Sequence, residues 1–300
     1  MDTDRGMVME IKNKEMDKVM DKNEWDLIIR PKRSLFDINL KELYTYRDLL
    51  MMFVKRDIVT VYKQTILGPV WYVIQPILQM LTFIIIFTKV THLSTDGVPP
   101  ALFYLSGIVI WNYFSECLNQ TANTFSDNAD MFGKVYFPRL ITPLSKVMSG
   151  FIKFSIQFCL FLILYFYYIL STDLAGPSWN VFLLPVLLVL MAGLGLGFGL
   201  IFSALTTKYK DLKFLLQFGI QLVMYATPII YPLSSIPEKY KFYFFLNPLT
   251  HVIEAFKHIF LGVGGINMPG IAFTAIFMVV TLLFGVLIFN KTEKTFMDTV

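Results

Sequence analysis

From Gln64 to Thr88 the sequence runs for 25 residues without a charged side chain, and a second uncharged stretch extends from Leu174 to Thr207. Crossing the hydrocarbon core takes about 20 mostly apolar residues. In lipid a single crossing segment satisfies its backbone only as a helix. Uncharged runs at Phe154–Thr172, Phe214–Pro237 and Ile271–Phe289 repeat the pattern, and a run between Asp96 and Asp127 is broken only by Glu116. With 55% hydrophobic and 16% charged residues, the composition excludes an ordinary soluble domain. The predicted fold is an all-α integral membrane protein with six transmembrane helices.

The first 63 residues hold 13 of the 26 Lys and Arg and 12 of the 22 Asp and Glu, and show no basic stretch leading into an apolar signal core. Residues 1–39 read as a charged cytoplasmic extension. Over 40–62, Leu43, Tyr46, Leu50, Phe53, Val54, Ile58 and Val61 recur at helical spacing, which predicts an amphipathic interfacial helix. The transmembrane domain then spans 63–290, and 291–300 is a cytoplasmic tail. With the termini inside, twelve Lys and Arg flank the cytoplasmic side, among them Arg56, Lys134, Arg139 and Lys213, against Lys89, Lys239, Lys241 and Lys257 outside. That bias sets the orientation. The net charge of +4 therefore reads as topology, and nucleic-acid binding is not expected because no soluble segment carries a basic and aromatic motif.

The sequence holds little that could do chemistry. No phosphate loop is present: Gly133-Lys134 is followed by Val135, and Asn128 stands where the first glycine belongs. Gly193, Gly195, Gly197 and Gly199 lie inside an apolar helix, where such spacing serves close helix packing. His251, Glu254 and His258 share a helix face but also fit the polar side of an amphipathic helix. No catalytic residue, metal site or cofactor is assigned to this chain.

Polar residues inside the spans are more telling. Gln75 and Gln79 mark the first; Glu116, Asn119, Gln120 and Asn123 the second; Lys153 and Gln157 the third; Gln217, Gln221 and Tyr225 the fifth. Each set is predicted to share a face that must point to protein or water. Interhelical hydrogen bonding and the lining of a polar path both account for them. Glu116 and Lys153 lie at similar depth on consecutive helices, which predicts an intramembrane ion pair. The segment 127–139 between the second and third spans would expose Met131, Phe132, Val135, Tyr136 and Phe137 as a docking surface. The segment 231–269 carries Pro232, Pro237, Pro248 and Pro269 and two apolar stretches too short to span, predicting a pair of interfacial or re-entrant helices.

Several stretches, in this order and spacing, resemble the membrane permease subunit of bacterial ABC exporters of polysaccharides and polyol phosphates, the group serving O-antigen, capsule and teichoic acid export. They are Tyr62 to Trp71, Gln75-Pro76, Phe103 to Trp111, Gly133 to Arg139, Tyr209 to Leu212, Asn247-Pro248 and Glu293 to Phe296. The resemblance implies two copies of this chain joined to two copies of a separate cytoplasmic ATPase that binds ATP and Mg. It implies a coupling helix around Asp130, Phe132, Lys134, Val135, Tyr136, Phe137 and Arg139, and an external gate including Pro237, Tyr240, Asn247, Pro248 and Glu254. It also implies a channel at the dimer interface, for which Trp71, Tyr72, Gln75, Gln79, Trp111, Tyr113, Gln217, Gln221 and Tyr225 are the candidates.

The cargo so implied is a lipid-linked glycan, and the location is the bacterial cytoplasmic (inner) membrane, in contact with its lipids. Two rival readings are a related exporter of drugs, ions or lipids, and an integral membrane enzyme acting on lipid-linked sugars with Glu116 as its acid.

Overall fold

The computed structural model describes residues 40–63, 66–132, 134–135, 137–172 and 176–296. The charged extension 1–39, Tyr136 and the end of the tail lie outside the described residues. Among the described residues every regular element is helical.

Two helices precede the bundle, α1 (Leu40–Thr45) and α2 (Arg47–Lys63). The first span runs Gly68–Val90. Its core is α3 (Trp71–Phe83), opened by a 3-10 turn at Gly68–Val70 and continued by a π-helical stretch over Ile84–Val90. Next come α4 (Pro100–Ala122), the short α5 (Thr124–Asp127) and α6 (Ala129–Phe132), and α7 (Ile141–Ser171). The remaining helices are α8 (Leu184–Lys208), α9 (Leu212–Tyr225), α10 (Glu238–Leu246), α11 (Pro248–Leu261) and α12 (Met268–Phe296).

Five helical stretches are long and apolar enough to cross a membrane. The predicted fifth span differs: α9 has 14 residues, about 21 Å at 1.5 Å per residue, short of the roughly 30 Å core. It stops at Tyr225, and turns at 226–231 carry the chain on. The described residues therefore hold five long spans and one short apolar helix in the place of the predicted fifth.

Helix α4 is the centre, with sixteen of its 23 residues buried. Helix α8 packs on it through glycine. A Cβ at Gly195 would sit 2.7 Å from Cys117 Cβ and 2.9 Å from the Phe114 carbonyl oxygen. A Cβ at Gly197 would sit 3.0 Å from the Leu282 nitrogen of α12. The alternating glycines thus form two close-packing faces, one toward α4 and one toward α12, as small residues do between membrane helices.

One end of the bundle, here the basal end, is closed by aromatic rings. Phe53 from α2, Phe125, Phe132, Phe137 and Phe289 from α12 form one buried cluster. Phe125 stacks on Phe289 with centroids 4.5 Å apart, and Phe53 meets Phe137 edge-on at 5.6 Å. The apolar stripe predicted over 40–62 is what docks α2 here, and Phe53 and Val54 are its buried part.

At the opposite, distal end α11 departs from expectation. Its predicted amphipathic face would lie in an interface, yet twelve of its residues are buried, including His251, Glu254 and Lys257. It packs against α4, α8, α10 and α12. Helix α10 is the exposed one, with Tyr240, Phe242 and Tyr243 at least half exposed, the pattern of a helix lying in an interface.

Candidate functional site

Two polar clefts flank α4, because consecutive residues on a helix are turned by about 100°. Ser115, Asn119 and Asn123 line the first; Glu116 and Gln120 line the second. The predicted single face holding Glu116, Asn119, Gln120 and Asn123 is therefore divided between two sites.

The first cleft is a groove of about 530 Å³ between α3, α4 and α9. Gln79 and Phe83 come from α3; Trp111, Ser115, Asn119 and Asn123 from α4; Gln217, Ile220, Gln221, Met224 and Tyr225 from α9. Periodicity explains the convergence. Residues four apart on each helix bring Gln217 and Gln221 to one side and Ser115, Asn119 and Asn123 to the other. Asn119 Nδ2 donates to Ser115 Oγ at 3.3 Å, and Asn123 Nδ2 to the Asn119 carbonyl at 3.0 Å. Gln79 Nε2 points to Met224 Sδ at 3.8 Å. Gln217 and Gln221 line the groove opposite Asn119 and Asn123, so the lining is hydrogen-bonding and uncharged.

Of the nine predicted channel residues, Gln79, Trp111, Gln217, Gln221 and Tyr225 meet here. Trp71 and Gln75 face outward elsewhere on the first span. Tyr72 turns its ring to Lys153 Nζ, 5.3 Å from the centroid. Tyr113 is buried between Phe154 and Phe151, with centroids 5.1 and 6.3 Å away, and is not among the residues lining the groove. Aromatic composition alone does not separate a packed ring from an accessible one.

The second cleft, about 320 Å³, lies between α2, α4 and α7. The predicted pair is present: Lys153 Nζ hydrogen-bonds Glu116 Oε1, and Gln120 Nε2 donates to the same oxygen at 3.1 Å. One turn further along, Asn112 Nδ2 donates to Gln157 Oε1 at 3.2 Å. Antiparallel α4 and α7 thus share a polar seam. It continues to α2, where Lys146 Nζ is 3.0 Å from Asp57 Oδ2 and Arg56 Nη2 is 2.9 Å from Asp57 Oδ1. Sequence reasoning missed Asp57 because a charge on a solvated helix face is unremarkable until its partner is placed.

The segment 127–139 needs correction. Its helix is only Ala129–Phe132, and Phe132 and Phe137 are buried in the basal cluster instead of exposed for docking. Arg139 braces the loop: its Nη1 donates to the Glu293 carbonyl at 3.0 Å, and its guanidinium lies over the Phe132 ring at 5.3 Å. What faces outward is Asp130, Lys134 and Val135, the last 60% exposed.

At the distal end, Asn247 caps α11, its Oδ1 accepting from the Leu249 N–H at 3.1 Å while Nδ2 donates to Thr227 Oγ1 at 2.9 Å. Pro248 fills the first helical position, where a missing N–H costs nothing. Pro237 opens α10, and Tyr240 stands half exposed on it. His251 Nε2 and His258 Nδ1 each meet a backbone carbonyl, of Phe245 at 3.0 Å and Gly264 at 3.2 Å.

Glu254 and Lys257 line a cavity of about 300 Å³ with Asp96 and Ser234. Lys257 Nζ donates to the carbonyls of Pro228 and Ile229 at 2.6 and 3.3 Å and sits 3.7 Å from the Phe103 centroid. Burial pulls its ammonium down to about 7 against the pull of Glu254 and Asp96, and burial pushes the Glu254 carboxyl up. Lys257, on the external side by its place in the sequence, is buried here instead of flanking a span in solvent. The signal to the contrary was its place inside the apolar run Leu249–Leu261.

Comparisons with known proteins agree on what such a bundle is. The chain is 30% identical to the O-antigen export system permease protein RfbA of Myxococcus xanthus, over 74% of this chain and 83% of that one. It is 29% identical to the protein of the same name from Klebsiella pneumoniae, over 84% and 94%. To the polysialic acid transport protein KpsM of Escherichia coli it is 25% identical, over 81% and 93%. By name these relatives are export permease and transport proteins. Residues 48–261, more than half of the chain, match the family described as ABC-2 type transporter, and this multi-pass membrane protein belongs to that family.

Proposed function

We propose that the chain is the permease subunit of an ATP-driven exporter carrying a lipid-linked polysaccharide across the bacterial cytoplasmic membrane. The observation that carries this reading is the groove between α3, α4 and α9: uncharged, rich in amide side chains and open at its rim. Amides and an accessible Tyr225 suit a hydroxyl-rich chain. Named roles of the relatives, O-antigen export and polysialic acid transport, support a glycan cargo.

A groove on one protomer is half a channel. Its borders carry exposed Leu78, Phe218 and Leu222, which a second copy would cover to enclose the amides. The twelve-to-four bias of Lys and Arg supports termini in the cytoplasm. In that orientation Asp130, Lys134 and Val135 face the cytosol, where a separate ATPase chain holding ATP and Mg would dock. Closure of two ATPases on nucleotide would push on this segment, and the basal aromatic cluster, with Phe53, Leu200 and Phe289 among its members, would pass the movement to α2, α8 and α12. Export follows if the two resulting states differ in affinity for the cargo.

Two tests separate the parts of this reading. Val135→Asp is expected to weaken co-purification of the ATPase at least about tenfold while leaving thermal stability unchanged, since its side chain is mostly exposed. Phe137→Ala is expected to cost about 3–5 kcal/mol of stability, read as a lowered Tm. Equal ATPase recovery with Val135→Asp would remove this surface from the docking site. The double change Gln217→Leu with Gln221→Leu keeps the groove's volume but removes two side chains able to hydrogen-bond the cargo, each bond contributing about 1 kcal/mol. Glycan export measured at the cell surface should fall about tenfold or more, with ATPase binding intact. Undiminished export would move the path elsewhere.

A further inference from the structure

The cleft between α2, α4 and α7 lies on the other flank of α4 from the groove, and the proposed transport reading makes no use of it. Its two inner carboxylates, Glu116 and Asp57, are each paired with a cation. Glu116 Oε1 already accepts from Lys153 and Gln120. Asp57 Oδ1 receives Arg56, through Nε at 3.1 Å and Nη2 at 2.9 Å, while Oδ2 forms an ion pair with Lys146 Nζ at 3.0 Å but accepts no hydrogen bond. Asn128 Oδ1 faces Arg56 Nη2 at 3.5 Å.

The donors, by contrast, are far from used up. An ammonium carries three N–H groups and a guanidinium five. Lys146 and Lys153 each make a single ion pair, and Arg56 directs only Nε and Nη2 at side chains. Ser149, 5% exposed and lining the cleft, has a buried Oγ with no hydrogen-bond partner at all. A buried hydroxyl left unmade is costly unless something outside the chain meets it. The one carboxylate on the wall outside these pairs is Asp127, which is exposed at the rim.

We propose that this cleft binds a phosphate group. Three cations whose charges are paired but whose donors are spare, around an unpartnered hydroxyl, call for a ligand that is rich in acceptors and compact. A tetrahedral phosphate supplies these acceptors and fits within about 320 Å³. The cleft is walled by α2, which exposes Met51 and Met52 beside its docked stripe, apolar surface that suits an interface, so the phosphate of a lipid headgroup can reach it as well as a free one.

The test is calorimetric titration of the full chain in a phosphate-free maltoside detergent, with three probes: dihexanoyl phosphatidic acid, sodium phosphate and dihexanoylglycerol. Saturable binding of phosphatidic acid, absent for dihexanoylglycerol, is expected. Ser149→Ala is expected to weaken it about tenfold, the loss of one hydrogen bond to a charged group. Glu116→Gln combined with Lys153→Met, which removes a cation without stranding its partner, is expected to weaken it at least as much. Binding by phosphatidic acid alone assigns the site to lipid, and binding by both phosphates assigns it to the free ion as well. No saturable phosphate binding to the unaltered chain overturns the proposal. So does equal binding by dihexanoylglycerol, or unchanged affinity in both variants with Tm preserved.

Discussion

Replacing Gly197 with leucine is expected to leave no monodisperse protein after extraction. A Cβ there would lie 3.0 Å from both the Leu282 nitrogen and the Thr281 carbonyl carbon, and one at Gly285 would lie 2.7 Å from the Gly197 carbonyl oxygen. These neighbours are backbone of a facing helix, so no side chain can swing aside. The two helices would have to separate, and Gly195 on the other side of α8 meets Cys117 and Phe114 of α4 just as closely. Ordinary overpacking costs about 1–3 kcal/mol. Prying α8 from α12 exceeds that range and approaches the whole stability of a typical domain, about 5–15 kcal/mol. Gly219→Leu is the matching control, because a Cβ on that residue of α9 meets nothing within 4 Å. The check is the monodisperse peak in size exclusion and the Tm of each variant. A Gly197→Leu protein melting within a few degrees of Gly219→Leu would show that α8 and α12 are not held by close approach.

Spans were readable because lipid forbids unpaired backbone and unpaired charge, so gaps in charge mark helices directly. Even α9 was located, and only its length was overestimated, since absence of charge cannot say where an uncharged helix stops; here it ends at Tyr225. Residues with one plausible environment were also legible. Gln79, Gln217 and Gln221 inside apolar runs had to face something polar, and they face one groove. Rings were not legible in this way. Phe132, Phe137 and Tyr113 are equally content in a core, an interface or a channel, and the structure buries all three. Nor could periodicity assign Glu116 and Asn119 to different clefts, because the boundary between neighbouring helix faces is set by where α7 and α9 sit. Lys257 escaped for a related reason: only tertiary placement brings the carbonyls of Pro228 and Ile229 to its ammonium.

The Glu116–Lys153 pair yields a prediction whose sign is diagnostic. Each single change, Glu116→Gln or Lys153→Met, leaves one half-buried charge in the cleft without its nearest counter-ion. Breaking a fully buried pair costs about 3–5 kcal/mol. Here 28% and 23% of the two side chains remain exposed toward the cleft, so a loss of about 1–3 kcal/mol is expected for each. The double change removes both charges, leaves Gln120 an amide to meet, and is expected to be milder than either single one. In a thermodynamic cycle the two losses then fail to add by more than about 1 kcal/mol, measured as Tm or as the denaturant midpoint of purified protein. Additive losses would mean that each charge is satisfied by other neighbours, with Tyr72 beside Lys153 and Gln120 beside Glu116 the nearest. The cycle therefore decides whether the seam between α4 and α7 is held by this pair or only passes through it.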